Sequence, residues 1–385
     1  MNAPRIISFI VLIAAVVGGI IYLNSQKADR GGNDVGVTVS PEEKTIVPEK
    51  LSNDKKQAMI PKSDKYKLAK EITTPDGFIN TDGKPVTIGE FVGKKVVLLD
   101  IWTYSCINCQ RTTPYLNAWY EKYKDKGLVI IGLHTPEFEF EKNYQNVLEA
   151  TKRMGIKFPV VLDNDYSTWN AYQNRFWPRK YLIDIDGYVV YDHIGEGAYE
   201  ETERKIQEAL AERMVVLGES GTINQSVTKE IPLEGGPKSP ETYFGAARNQ
   251  FFGNGSPGAL GDQKGLIIPT QLDLNTFYFS GDWNIKDEFA QNNSLDAGIA
   301  YKYIAKNVFL VSGADNETAV EVLLDGKPLG TEAGADIVKT ADGKTIVKIK
   351  ETRLYKIIQG NKSETHTLKL IIQKSGLKAF TFTFG

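Results

Sequence analysis

Four kinds of hydrophobic pattern succeed one another along the chain. Ile6 to Leu23 is apolar apart from Ser8, long enough as a helix to cross most of a ~30 Å hydrocarbon layer. Gln26 to about Lys67 has no sustained apolar period and many charged and small residues, which predicts a solvated tether. From about residue 70 to Leu217, short apolar runs alternate with helical periods. From Gly218 the helical period disappears, and strand-like runs divided by turn residues take over.

In the third of these regions, Val96 to Trp102 is almost continuously apolar, the mark of a strand buried on both faces. Asn108 to Lys124 carries Leu116, Trp119, Tyr120 and Tyr123 at helical spacing, and Leu128 to Leu133 is a second buried strand. A helix is expected from about Glu139 to Met154. Strand, helix, strand at this length is a crossover unit of a parallel sheet. Lys180 to Asp184 and Tyr188 to Tyr191 flank Asp186-Gly187, a hairpin signal, and Glu200 to Arg213 forms an amphipathic helix. The fold class is therefore α/β, with a central mixed sheet flanked by helices over 70–217.

Residues 218–240 hold several glycines and prolines and read as a linker. The remainder, 241–385, offers Phe277 to Phe279, Ile299 to Tyr303, Asn307 to Val311, Val320 to Leu324, Ile346 to Ile349, Leu368 to Ile372 and Ala379 to Phe384 as strands. Asp325-Gly326 and Asp342-Gly343 supply hairpin turns, and many short strands of this kind predict an all-β sandwich. Few contacts are expected to cross the linker.

Composition narrows the functional classes. Lys and Arg total 46 against 48 Asp and Glu, so no basic excess exists to neutralise a phosphate backbone, and nucleic acid is excluded as a partner. After Leu23 there is no small-residue cleavage pattern, so residues 1–25 read as a single uncleaved membrane anchor and 26–69 as its tether. The chain has 2 cysteines, too few for a disulfide scaffold.

Those two, Cys106 and Cys109, fall where the first buried strand gives way to its helix. Unpaired amides and the dipole at a helix start favour the thiolate of Cys106, the form that attacks a disulfide. Cys109, one turn on, is placed to resolve the mixed disulfide. Asp100, inside the apolar strand, is a buried carboxyl able to trade protons. Pro114 interrupts the following helix, and Trp177-Pro178 precedes a strand with the peptide bond type most able to be cis.

With these residues in register, 70–213 resembles the thioredoxin fold of membrane-tethered extracytoplasmic thiol-disulfide oxidoreductases similar to TlpA and ResA. WTYSCINCQRTTP, HTPEF at His134 to Phe138, and Trp177 to Asp184 resemble the thioredoxin portion of the DipZ family. The stretches Ser239 to Tyr243 and Ser280 to Trp283, with the Phe-Thr-Phe-Gly ending, resemble the carbohydrate-binding-module-like domain of that family. The resemblance implies Cys106, Cys109 and Asp100 as catalytic residues and Pro178 as a cis-proline lining a substrate groove; Trp177 is a groove candidate beside it, and Trp102 and Tyr104 either contact substrate there or shield and pack the sheet. It implies a redox-active disulfide and no other cofactor, protein disulfides as substrates, and a location on the periplasmic side of the cytoplasmic membrane. DipZ proteins usually begin with a multi-span electron-importing domain, so with one span the electrons would come from a donor similar to CcdA. The Ile-Asn pair between the cysteines leaves reductant or oxidant open.

Other readings share these residues. Structural zinc wants four ligands, and beside the cysteines the histidines are His134, His193 and His366. A Sco-type copper chaperone needs a three-residue gap between its cysteines. Thr103 suits a thiol peroxidase, whereas Leu99 stands where that family has proline. His134 and Glu137, after the second strand, are accessory candidates for proton transfer or substrate contact, or else cap the next helix. Trp283 and Tyr243 offer either a sugar-stacking platform or core packing, so a glycan- or protein-binding module with a secondary redox pair is the rival function.

Overall fold

The computed structural model describes residues 45–46, 61–229 and 238–385. The apolar run at Ile6 to Leu23 lies outside them. Among the described residues no helix is long and apolar enough to cross a membrane.

The first domain is a six-stranded mixed sheet. Its elements are β1 (Gly77–Ile79), β2 (Val96–Trp102), α1 (Ile107–Tyr123), β3 (Leu128–His134), α2 (Tyr144–Arg153), β4 (Val160–Leu162), β5 (Arg179–Ile183), β6 (Val189–Ile194) and α3 (Tyr199–Leu217). The strand order is β1-β4-β3-β2-β5-β6. β2, β3 and β4 run parallel, and β1, β5 and β6 join antiparallel. All seven residues of β2 are buried. Their alternation splits the core: Val96 and Leu98 face α1 and α3, while Val97, Leu99 and Ile101 face a layer closed by Ile72, Val86, Ile88 and Trp169. Asp100 shares the parity of Val96 and Leu98, so the strand delivers it beneath α1.

Parts of the two expected connectors are tied to this domain. Lys62 bonds Asp184 and Asp186 at 2.6 Å, Ala69 donates its amide to Gly187, and Val189 donates to Lys67. Ile223 enters the core under α3, and Ser226 and Thr228 are fixed by Lys122 and by Glu203, whose carboxylate is buried. The polar composition that suggested free chain supplies hydrogen bonds to buried partners instead.

The second domain is all β, as the turn spacing implied. Its strands differ from the expected set of short ones, because 297–314 and 353–372 are continuous. Gly360-Asn361-Lys362 falls outside every strand expected from the sequence. In the structure it lies within a strand whose register with 297–314 shifts at Ala305/Asn307 and Val308/Phe309, so bulges absorb what the sequence suggests are breaks. Eleven strands form one hydrogen-bonded network rather than two unconnected sheets. Trp283 is fully buried, stacked 4.0 Å from Phe279 with its indole N–H on the Ser280 carbonyl, and belongs to the core. A sugar platform is thereby ruled out at this residue.

The domains share an apolar cluster. Ile107, the first residue of α1, and Phe138 are buried with Phe309, Val311, Leu354 and Phe380, and Phe140 packs beside them. Phe380 meets Phe140 at 4.7 Å and Phe138 at 5.3 Å, both edge to face. The expectation that few contacts cross the linker fails here, because apolar residues on the surface of each domain cover one another. Phe380→Ala removes both of these contacts, and the one to Phe289 within the β domain, and should cost about 3 kcal/mol. Urea unfolding of the full chain, followed separately by the signals of each domain, should show both midpoints falling together. A fall confined to the β domain would show that the cluster does not couple them.

Candidate functional site

The cysteine pair sits where β2 ends. Cys106 is the N-cap residue of α1, half-buried, and its sulfur accepts the Cys109 amide at 3.4 Å. The Cys106 thiol also faces the carbonyl of Trp177 at 4.0 Å. The Trp177–Pro178 peptide is cis, as its bond type allows. Cys109 is 2% exposed. Burial pushes its thiol well above the usual range, and the adjoining Cys106 sulfur adds to the effect. Both thiols are free in this structure.

Below the pair lies a buried charge couple. Asp100 is 2% exposed, and one carboxyl oxygen has no hydrogen-bond partner. Burial pushes its pKa up to about 7, while Lys180 pulls it down. Lys180 is the cross-strand partner of Asp100 in β5, fully buried, and donates to the Gly195 carbonyl at 3.1 Å. Burial lowers its pKa, and Asp100 acts against that. Lys180 is absent from the candidates drawn from sequence, although a lysine at the inward parity of a buried strand was the available signal.

Five expected site residues have other surroundings. Trp102 and Tyr104 are each 2% exposed and clasp His134, at 5.2 Å edge to face and 5.6 Å stacked, so they pack behind the cysteines instead of lining an open groove. Trp102 lies against Gly132, where an added Cβ would come within 2.9 Å of the indole nitrogen. His134 is fully buried, with burial pushing its pKa down to about 3, so it is neutral and shut off from solvent protons. Glu137 points to the β domain, accepting from the Tyr243 hydroxyl and the Arg248 guanidinium at 2.8 Å each. Tyr243 in turn lies 3.5 Å under Arg248, so it is an interdomain contact and not a free stacking surface. Trp177 and Pro178 remain beside Cys106: Trp177 is half-buried with its indole N–H on the Thr135 carbonyl, and Pro178 is buried.

Two features carry no sequence signal. Tyr104 donates its hydroxyl to the Thr352 carbonyl of the β domain at 3.5 Å. Glu141, which falls at the start of the helix expected from about Glu139, is fully buried and accepts hydrogen bonds from Ser105, the residue before Cys106. Its position three residues after Phe138, in an interrupted turn, gives no sign of burial.

The Redoxin family matches residues 62–210, and the family described as thioredoxin-like C-terminal domain matches 239–385. Thiol-disulfide oxidoreductase ResA of Bacillus thuringiensis (strain Al Hakam) is 35% identical over 150 residues, covering 38% of this chain and 81% of that protein. Protein DipZ of Mycobacterium tuberculosis (strain CDC 1551 / Oshkosh) is 37% identical over 323 residues, 81% of this chain. The chain spans 43% of the length of that relative. The chain belongs to the thioredoxin-like thiol-disulfide oxidoreductases. Within them it is DipZ-like, with both the redox domain and the β domain in the matched region.

The carboxyl of Asp100 has a testable effect on stability. Its folded pKa, about 7, exceeds the usual 3.8, so between these values the unfolded chain binds fewer protons and stability falls as pH rises. Asp100→Asn should therefore gain on the parent protein from pH 4 to pH 7 and hold the gain above, by a few kcal/mol at most. Urea midpoints of both proteins across pH 4 to 9 measure it. A constant difference would mean that Asp100 ionises normally.

Proposed function

We propose that the chain exchanges disulfides with protein substrates through Cys106 and Cys109 on the outer face of the cytoplasmic membrane. The observation that carries this reading is the asymmetry of the pair: Cys106 is half-exposed at the helix start, and Cys109 is buried behind it on the side of Asp100. The Cys106 thiolate attacks one sulfur of a substrate disulfide, forming a mixed disulfide and releasing the other sulfur as thiolate. Cys109 then gives its proton to Asp100 and attacks Cys106, and the reduced substrate leaves. The substrate chain lies along Trp177 and Pro178. The internal disulfide is the only redox group required.

Location and electron supply rest on the sequence. Ile6 to Leu23 supports a membrane anchor, and a protein similar to CcdA returns electrons to the pair. Membrane fractionation with protease protection tests the anchor.

Substrate trapping tests the order of events. Cys109→Ser should accumulate mixed disulfides with protein substrates, visible on non-reducing gels, because the buried resolving thiol is gone. Cys106→Ser should trap few or none. Equal trapping by both variants would overturn the assignment of attack and resolution.

A further inference from the structure

Glu141 joins two loops that the exchange reaction does not by itself connect. One carboxyl oxygen accepts the amide of Ser105 at 3.2 Å and its hydroxyl at 2.7 Å. The other accepts the amides of Glu137 at 2.6 Å and Phe138 at 3.0 Å. Ser105 is covalently joined to Cys106. Glu137 holds Tyr243 and Arg248, and Phe138 lies in the apolar cluster shared with the β domain. A single buried side chain thus spans from the nucleophile's turn to the loop on which the β domain is seated. Four donors converge on it, an arrangement matched to an ionised carboxylate with its several lone pairs. Burial pushes its pKa up, and the Ser105 hydroxyl is among the groups pulling it back down.

We propose that Glu141 is a positioning residue for attack by Cys106, and that through it the geometry of the nucleophile's turn depends on docking of the β domain. The proposal rests on the reading of Cys106 as nucleophile. The step served is formation of a bond from the Cys106 sulfur to one substrate sulfur, while the substrate disulfide breaks and its second sulfur departs with the electron pair. Holding the Ser105 amide fixes the Tyr104–Ser105 peptide plane, one residue ahead of Cys106, and together with the bond to the Ser105 hydroxyl it constrains the turn that directs the Cys106 sulfur relative to the Cys109 amide and the Trp177 carbonyl. The Glu137–Phe138 loop is the other half of the clamp. Tyr243 and Arg248 hold that loop from the β domain.

The test is a double-mutant cycle in the full chain, reading the rate of mixed-disulfide formation with oxidised glutathione. In Glu141→Gln one oxygen becomes an NH2 group, so a donor meets donors on one side of the clamp. The rate should fall about ten-fold or more, since small misplacements of a reacting group are costly. Tyr243→Phe combined with Arg248→Ala should slow the parent protein several-fold and leave the rate of Glu141→Gln unchanged. An unchanged rate in folded Glu141→Gln, or effects that multiply independently, would overturn the proposal. If Glu141→Gln does not fold, Glu141→Asp, whose side chain is one methylene too short to hold both loops, takes its place in the cycle with the same criterion. A parent protein that does not react with oxidised glutathione would instead sink the reading of Cys106 itself.

Discussion

The site depends on a carboxyl held where water cannot reach it. Asp100 is carried inward by the alternation of β2, a strand buried along its whole length, and could be placed elsewhere only by moving the strand out of register. An isolated ionised carboxylate in such a place is strongly disfavoured. The fold answers in two ways: burial holds the proton on until about neutral pH, and Lys180 stands opposite on the next strand. The same parity that buries Asp100 orients Leu98 and Leu182 toward α1 and α3, so the chemistry and the core share one geometric rule.

Around that centre the structure separates exposure from burial over a single helical turn. Cys106 caps the helix at its half-open end, whereas Cys109 belongs to the buried core with Tyr115 and Leu116. His134, Trp102 and Tyr104 form a packed wall behind the pair, and that wall leans on the β domain through Tyr104 and Thr352. The redox domain therefore does not end at its own surface. Phe138, Phe140 and Ile107 find their apolar partners on strands more than 150 residues further along the chain.

Local patterns are readable where one rule governs a segment. The apolar run of β2, the helix after the cysteines and the hairpin at Asp186-Gly187 derive from periodicity and turn chemistry alone. The cysteine pair and Asp100 are legible because their residue types are unusual in their settings. Glu137, His134 and Tyr243 stand out for their chemistry, but sequence carries no information on which distant surface a side chain will meet. Glu141 and Lys180 escape notice for a related reason, since a charged residue reads as solvated unless strand parity is traced through to its partner. The long strands of the β domain look divided because a bulge and a turn use the same small and polar residues.

Ile107 is one residue answering to two demands. It is half of the dipeptide between the cysteines, and it is also 5% exposed beneath Phe309, Val311 and Leu354. Any change there alters both the setting of the two cysteines and how firmly the two domains adhere, so the surroundings of the pair and the cohesion of the molecule cannot drift apart independently.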